Sequence, residues 1–384
     1  MMQVSPSKIG IPESTDHFQI RGEDGGARCG VMTTAHGQVV TPAFMPVATQ
    51  GSVKGLTPRD LRGLGTQILL ANTYHLTLRP GVDVIQDLGG LHRFMGWDGP
   101  ILTDSGGYQV YSLAPLRKIT DEGVLFRSHI DGQTVFFTPE SVIQIQKALG
   151  VDIAMVLDEC PPAGAPRNQV ETATRRSLSW AVRSRALSDS SGTLVFGIVQ
   201  GGTFTDLRRW HCRELVALDF PGYAVGGLSV GEERGVTLEV AAVTAEELPR
   251  DRPRYLMGVG YPEDLIRFVA MGYDLFDCVL PTRNARNGLL FTSNGRLNIR
   301  LARFQRDENP PDPLCSCYTC SNFSRAYLRH LSLAKEISAA ILATTHNLYF
   351  YQRLMRDMQT AIIRHSFAPW AEATIARLEQ ECQP

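Results

Sequence analysis

Residues 194–199 read Leu-Val-Phe-Gly-Ile-Val and are followed at once by Gln200-Gly201-Gly202 and then by a helical pattern from Thr205 to Leu218. A short apolar run of this kind is typical of a buried β-strand. The two glycines permit a tight bend, and the amphipathic segment returns the chain toward the start of the next strand. The stretch therefore predicts one strand-turn-helix unit of a parallel sheet.

The same unit recurs along the first three quarters of the chain. Short β-prone runs are predicted at Val39–Ala48, Thr66–Leu70, Pro100–Thr103, Asp152–Leu157, Leu194–Val199, Tyr223–Val225, Arg254–Met257 and Leu275–Val279. Helical patterns lie between most of them, at Pro139 to Leu149, Val170 to Leu187, Thr205 to Leu218, Thr237 to Leu248 and Pro262 to Met271. Eight repeats favour a closed (β/α)8 TIM barrel over an open doubly wound sheet, and no GxGxxG follows the first strand.

A cysteine cluster near the C-terminus indicates a metal site. Cys315-Ser316-Cys317-Tyr318-Thr319-Cys320 is followed by His346 in a helix-compatible stretch. Three thiolates and one imidazole match a closed tetrahedral zinc site, which builds structure and leaves no position open for chemistry. Unrelated free thiols are the alternative, and a disulfide framework is less favoured because the other five cysteines are scattered.

These observations predict an α/β chain with a zinc-binding subdomain inserted near its C-terminus. The expected divisions are a barrel with an N-terminal extension at 1–306, the zinc-binding subdomain at 307–364 and, at 365–384, a segment that completes the barrel or forms a tail. Two further helices are expected in the C-terminal part, at Phe323 to Ala340 and Thr345 to Arg364.

Composition and charge narrow the function classes. The chain has 384 residues, 43% of them hydrophobic, and a formal net charge of −1, so it is not a globally basic nucleic-acid coat. No secretory leader or membrane span is evident, and a soluble cytoplasmic protein is expected. Between Pro281 and Arg306 there are six arginines and no acid. This segment is either a phosphate-binding face or a solvated face that is compensated by acids elsewhere.

Polar and glycine residues gather where the predicted strands end. In a barrel that face carries catalysis, although each single turn also has a structural explanation. Asp104 and Asp277 are expected in the barrel mouth, where paired carboxylates can divide the roles of nucleophile and acid/base, as in retaining sugar chemistry. Asp158, with Gln200 and the backbone near Gly227, suits the hydrogen-bonding edge of a planar base.

Five motifs carry a resemblance to a known family. They are Asp104-Ser105-Gly106-Gly107-Tyr108-Gln109, Val199-Gln200-Gly201-Gly202, Ala224-Val225-Gly226-Gly227-Leu228, Asp277-Cys278-Val279-Leu280-Pro281-Thr282-Arg283 and the Cys315, Cys317, Cys320, His346 set. In this order and over nearly the whole chain, they resemble the tRNA-guanine transglycosylase family. The resemblance implies a (β/α)8 barrel enzyme that exchanges a base in tRNA without breaking the phosphate backbone.

The resemblance also implies residue roles. Asp277 corresponds to the nucleophile that forms a covalent intermediate with the ribose, and Asp104 to the general acid/base; this division of roles rests on the resemblance alone. The implied base-binding residues are Asp158, Gln200, Gly227, Leu228 and Ser105, with Tyr108 and Met257 as the stacking pair. Arg283 and Arg286 match RNA-binding positions. Cys315, Cys317, Cys320 and His346 match the ligands of one structural zinc per subunit.

Within the family, Cys160 resembles the bacterial type. That type exchanges guanine at the wobble position of GUN-anticodon tRNAs for 7-aminomethyl-7-deazaguanine, in queuosine biosynthesis. A homodimer is implied, with Phe94, Phe323, Tyr327 and His330 as candidate contacts. Two alternatives remain at this point: a barrel glycosidase or nucleoside hydrolase acting on free sugars, and a non-catalytic RNA-binding accessory subunit.

Overall fold

A computed structural model describes residues 17–108, 117–188 and 192–380. The described part begins with a three-stranded antiparallel sheet in the order β1-β2-β3, formed by Phe18–Asp24, Ala27–Thr34 and Gly37–Thr41. The predicted first strand, Val39–Ala48, is therefore wrong in part: its first residues pair with β2 in this sheet. Pro42 separates them from the barrel strand, because a proline cannot donate to a ladder.

The central element is a parallel barrel. Its strands are β4 (Ala43–Met45), β5 (Val47–Ala48), β6 (Leu69–Asn72), β7 (Ile101–Asp104), β11 (Ile153–Met155), β12 (Leu194–Val199), β13 (Tyr223–Val225), β14 (Arg254–Leu256) and β15 (Leu275–Asp277). Their order is β4-β15-β14-β13-β12-β11-β7-β6-β5. β4 and β5 stand at opposite ends of this order, and only Pro46 separates them in the chain. The first and last strands of the sheet are therefore neighbours, which closes the sheet into a barrel. The predicted eight-stranded barrel is confirmed.

Helices cover the outside of the barrel. Those before the zinc region are Pro58–Gly63, Thr73–Leu78, Val82–Asp87, Gly90–Met95, Pro139–Leu149, Arg167–Arg185, Thr205–Val216, Arg234–Glu247, Pro262–Ala270 and Leu280–Arg286. The prediction for Pro139–Leu149 is confirmed at both ends. Thr138 forms a capping box with Ser141, and Gly150 ends the helix at φ +73°.

Two antiparallel insertions were not predicted. β8 (Arg117–Thr120), β9 (Gly123–Arg127) and β10 (Thr134–Phe137) form a three-stranded sheet after β7. β16 (Leu289–Thr292) and β17 (Gly295–Asn298) form a hairpin after β15, which a 3-10 helix at Ala302–Arg306 follows. In each insertion one strand, β8 or β17, is partly exposed and lacks the continuous apolar run that marks a buried barrel strand.

The C-terminal part is helical, with elements at Tyr318–Asn322, Arg325–Leu333, Ile337–Ile363 and Phe367–Leu378. The single helix predicted from Phe323 to Ala340 is wrong, because the chain turns at Lys335, which has φ +58°. The next helix begins at Ile337 rather than Thr345, and its 27 residues contact both the short helix Tyr318–Asn322 and the barrel strand β4. None of the described helices is long and apolar enough to cross a membrane.

The barrel core is apolar at its centre and polar at one end. Every residue of β12 is buried, and so is every residue of β13 and β14. Buried polar side chains follow at the carboxyl ends of the strands, among them Asn72, Asp104, Asp158 and Gln200. Buried polar groups must be hydrogen-bonded or serve a function, so this end of the barrel is the place to look for chemistry.

Candidate active site and metal centre

A cavity of about 440 Å³ opens at the carboxyl ends of the barrel strands. Asp104 is the last residue of β7 and Asp277 the last residue of β15, and both line this cavity although they are far apart in the chain. The other predicted residues on its wall are Ser105, Tyr108, Asp158, Gln200, Gly227, Leu228, Met257 and Arg283. The barrel thus brings nearly the whole predicted site together.

Asp104 is buried and held on both oxygens. Asn72 donates its amide nitrogen to Oδ2 at 2.6 Å, and the backbone N–H of Thr73 donates to Oδ1 at 3.3 Å. Burial, with a smaller contribution from the negative charge of Asp277, raises the pKa of Asp104 to about 7 against the lowering effect of the hydrogen bonds. Near neutral pH this carboxyl group can therefore hold a proton or release it.

Asp277 is held on one oxygen only among the described residues. The Tyr255 hydroxyl donates to Oδ1 at 2.6 Å, and the backbone N–H of Gly258 donates to the same atom at 2.8 Å. Burial raises the pKa of Asp277, while both hydrogen bonds lower it. Oδ2 is left without a donor from the described residues, so this oxygen can approach a substrate atom.

A second group of polar residues lies beside the carboxylate pair. The Gln200 amide nitrogen donates to Oδ2 of Asp158 at 2.6 Å, and the Ser105 hydroxyl donates to Oδ1 at 3.2 Å. Burial raises the pKa of Asp158 to about 6 despite these bonds. Gln200 Oε1 is buried without a partner among the described residues, so it can accept a hydrogen bond from a ligand.

Glycine is required at position 227. Its φ is +68°, and a Cβ added there would lie 2.4 Å from Gln200 Oε1. Only glycine lets the backbone approach the Gln200 amide this closely. The main chain of Gly227 and Leu228 consequently forms part of the cavity wall next to Asp158.

The two predicted stacking residues and a thiol also line the cavity. Tyr108 is 49% exposed and Met257 is half-buried, and both line the cavity. Gln109, the last residue of the first motif, lies outside the described residues. Cys160 is buried in the wall, and burial together with the charge of Asp158 raises its pKa to about 12, so this thiol stays protonated.

The two predicted RNA-binding arginines occupy different places. Arg283 lines the cavity, whereas Arg286 lies in a neighbouring groove with Arg300 and Lys335. One member of the arginine segment, Arg296, forms an ion pair with Glu263 at 2.9 Å. The positive charge of the segment is thus neutralised in part by acidic side chains, and Arg283 still places a cation at the cavity rim.

Sequence reasoning missed the residues that hold the carboxylates in place. Asn72 and Thr73 contact Asp104, and Tyr255 contacts Asp277. The sequence could have indicated Asn72, because it is another polar residue at the end of a barrel strand. The predicted strand ended at Leu70, two residues too early to show it. Tyr255 lies within an apolar strand, where its hydroxyl carries no sequence signal.

The predicted zinc ligands meet in one buried group. The Nδ1 atom of His346 lies 3.8 Å from the sulfur of Cys315, 3.6 Å from that of Cys317 and 3.2 Å from that of Cys320. In a tetrahedral zinc site, bond lengths of about 2.3 Å to sulfur and 2.0 Å to nitrogen separate such atoms by about 3.6 Å. The four residues could hold a metal ion.

The histidine is oriented for metal binding. Its Nε2 lies 2.8 Å from the carbonyl oxygen of Phe291, which can only accept, so Nε2 carries the proton and donates. The lone pair of Nδ1 then faces the three sulfurs. A ligating histidine that donates its other ring nitrogen to a backbone carbonyl is the usual arrangement in protein metal sites.

Comparison with known proteins identifies the family. A family profile described as queuine tRNA-ribosyltransferase matches residues 23–380. This chain belongs to that family. It is 55% identical over 342 residues to a queuine tRNA-ribosyltransferase of Pelotomaculum thermopropionicum, covering 89% of this chain and 92% of the relative. It is 57% identical over 337 residues to one of Caldanaerobacter subterraneus, covering 88% of this chain and 90% of the relative.

A third relative, from Solidesulfovibrio magneticus, carries the same description and is 54% identical over 355 residues, which cover 92% of this chain and 95% of the relative. Membership in the queuine tRNA-ribosyltransferase family makes the chain an enzyme of the glycosyltransferase class, specifically a pentosyltransferase. The predicted family is confirmed.

Proposed function

We propose that this enzyme exchanges guanine at the wobble position of GUN-anticodon tRNAs for 7-aminomethyl-7-deazaguanine, as a step of queuosine biosynthesis. The observation that carries the proposal is the meeting of Asp104 and Asp277 in one cavity beside the polar group around Asp158. Two carboxyl groups suit glycosidic bond chemistry, and the neighbouring polar wall suits a planar base.

The different surroundings of the two carboxyl groups support separate roles. Asp277 is the nucleophile: its Oδ2 attacks C1′ of the ribose as the bond from C1′ to guanine breaks, forming a covalent aspartyl-ribosyl RNA intermediate. Asp104 is the acid that gives its proton to the departing guanine. The incoming base then returns a proton to Asp104 and attacks C1′, which frees the Asp277 carboxylate.

The polar wall selects the base. Asp158 accepts from the N–H groups of a guanine-like edge, with Gln200, Ser105 and the main chain of Gly227 and Leu228 completing the contacts. Tyr108 and Met257 enclose the ring from its two faces. The small side chain of Cys160 leaves room in the wall, and it takes no part in the chemistry because its thiol remains neutral.

The substrate is the anticodon loop of tRNA. A carboxylate cannot reach C1′ inside a stacked helix, so the target base must be flipped out, and loop bases can be splayed in this way. Arg283 at the cavity rim and Arg286 in the adjoining groove supply positive charge for the RNA on either side of the target.

The metal is a structural zinc, one per subunit, held by Cys315, Cys317, Cys320 and His346. With four protein ligands it has no open position, so its role is to join residues 307–364 into a zinc-binding subdomain, with the barrel at 1–306 and the final segment at 365–384. The enzyme is further proposed to be a cytoplasmic homodimer. Phe94 and Tyr327, at 40% and 44% exposure, and also Phe323 and His330, are its candidate contacts.

Base exchange into a short anticodon stem-loop tests the proposal. Labelled guanine should enter an unmodified stem-loop, and 7-aminomethyl-7-deazaguanine should displace it without return. An abasic site with no incorporation would instead identify a nucleoside hydrolase. Folded protein that binds the stem-loop, incorporates no base and forms no covalent product would identify an accessory subunit.

A further inference from the structure

Arg208 is a buried cation directly behind the polar wall of the cavity. It lies on the helix Thr205–Val216 and is fully buried. Its Nε donates to the carbonyl oxygen of Gly202 at 2.9 Å, and its Nη1 donates to that of Val199 at 3.1 Å. No carboxylate of the described residues forms an ion pair with it, and burial lowers its pKa. Burying a charged guanidinium group without an ion-pair partner costs free energy unless hydrogen bonds compensate for the lost hydration. The partners of these hydrogen bonds therefore indicate what the residue does.

The other two hydrogen bonds of Arg208 reach the neighbouring loop. Nη1 donates to the carbonyl oxygen of Gly226 at 2.8 Å, and Nη2 donates to that of Gly227 at 3.3 Å. One guanidinium group therefore ties the loop after β12 to the loop after β13. The planar fork of arginine can serve several carbonyls at once in fixed directions, which the single ammonium group of a lysine cannot do.

These contacts set the direction of two backbone N–H groups. The peptide bonds after Gly226 and Gly227 are trans, so each N–H points opposite to the preceding carbonyl. Because both carbonyls face Arg208, which lies outside the cavity, the N–H groups of Gly227 and Leu228 face the opposite side, where these residues line the cavity. Among the described residues, neither N–H has an acceptor, whereas the N–H of Gly226 donates to Val199 at 3.0 Å.

Two separate sets of hydrogen-bonding groups therefore face the edge of the base. Asp158, held by Gln200 and Ser105, presents hydrogen-bond acceptors. The N–H groups held by Arg208 present donors, whose natural partner is the oxo group of a purine. We propose that Arg208 is a positioning residue that makes the enzyme selective for an oxo group on the base. This inference rests on the proposed base exchange.

Two bases are used to separate these contacts. Hypoxanthine lacks the amino group of guanine and keeps the oxo group, whereas 2-aminopurine keeps the amino group and lacks both the oxo group and the N1–H that accompanies it. Each base is measured as an inhibitor of labelled-guanine exchange into the stem-loop. Wild-type enzyme should bind both at least about tenfold more weakly than guanine, because a buried hydrogen-bonding group left unpaired is costly.

Arg208→Lys should lower the preference for guanine over 2-aminopurine by about tenfold, because guanine loses a contact that 2-aminopurine never makes. The preference for guanine over hypoxanthine should stay within about twofold of wild type, since both bases keep the oxo group. Cys212→Ala is the matched control: it alters a fully buried residue of the same helix that contacts none of these carbonyls. It should lower the melting temperature and leave both preferences unchanged.

An unchanged 2-aminopurine preference in folded Arg208→Lys overturns the inference, and so does an equal fall in both preferences. If Arg208→Lys does not fold, Arg208→Gln, whose amide can serve fewer of these carbonyls, is measured in its place, and the same two results overturn the inference. Failure of the wild-type enzyme to exchange guanine at all contradicts the proposed function instead, so the two failures are distinguishable.

Discussion

Tyr255 donates its hydroxyl to Oδ1 of Asp277 at 2.6 Å from the neighbouring barrel strand. This hydrogen bond lowers the pKa of Asp277, opposing the effect of burial. In the proposed reaction Asp277 attacks as an ionised carboxylate. The phenol then both orients this side chain and extends the pH range in which it can attack.

Tyr255→Phe should therefore raise the pKa of Asp277 and shift the acid limb of the kcat/KM profile to higher pH. We expect a loss of a few-fold at pH 8 and of more than about tenfold at pH 6. Tyr223→Phe, which removes a buried hydroxyl bonded to Phe220 and Val216, is the control for lost stability without a shifted limb. Identical acid limbs in Tyr255→Phe and wild type would contradict the role given to Tyr255.

Asp277→Asn should abolish the covalent RNA product on denaturing gels, because an amide oxygen cannot replace the attacking carboxylate. Asp104→Asn keeps the free Oδ2 of Asp277 and should form the product slowly. Circular dichroism establishes that both variants are folded. A covalent product with Asp277→Asn and none with Asp104→Asn would show that Asp104 is the nucleophile and Asp277 the acid/base.

The raised pKa of Asp104 has a consequence for stability. The folded carboxyl keeps its proton up to a pH of about 7, whereas the ordinary pKa of an aspartate is 3.8, so the unfolded chain binds fewer protons between these values. Stability from this group is therefore lost as the pH rises from about 4 to 7, by at most about 4 kcal/mol.

Asp104→Asn removes that titration. We expect the melting temperature of the variant, relative to wild type, to increase as the pH rises from 4 to 7. The substitution also alters the hydrogen bonds to Asn72 and Thr73, but this effect is the same at every pH. It therefore cancels when the melting-temperature difference at pH 7 is compared with that at pH 4. A variant whose relative melting temperature does not change with pH would show that Asp104 titrates in its ordinary range.

The barrel was predictable because most of its strands are short apolar runs that are followed by a polar or glycine residue, as in Leu194–Val199 followed by Gln200. The two carboxylates could be placed on one rim because parallel strands of a barrel end on the same face. The buried group that could hold a metal ion was predictable from spacing, since its three cysteines lie within six residues.

Other features depend on tertiary contacts that leave no local pattern. Arg208 appears in the sequence as one more charge on an amphipathic helix, yet it is fully buried because carbonyls of two loops surround it. The break near Lys335 was missed because the surrounding residues favour a helix. In the structure, Leu331 before the turn and Leu342 after it pack in one buried cluster. Burial of this kind is decided by the whole fold.

Cys317→Ser should reduce bound zinc from about one per chain to well below one and lower the melting temperature, because a hydroxyl is a poor replacement for a thiolate ligand. The exchange activity per folded molecule should stay close to that of the wild type even though the melting temperature falls. Cys29→Ala alters a buried cysteine outside the proposed ligand group, so it controls for loss of core packing and should retain zinc. Full zinc content and unchanged stability in Cys317→Ser would disprove the ligand assignment.

Arg283→Ala should weaken RNA binding and leave base binding unchanged. The side chain is exposed at the cavity rim, so its contribution is a screened contact with the RNA. We expect the KM for the stem-loop to rise about five- to tenfold and the dependence of log KM on log salt to lose about one unit of slope. Arg175→Ala removes an exposed arginine that pairs with Glu171 on an outer helix, and it should change neither quantity. Equal KM values and salt slopes for Arg283→Ala and wild type would place the RNA elsewhere on the rim, because a cation that contacts the RNA backbone must release counterions when it binds.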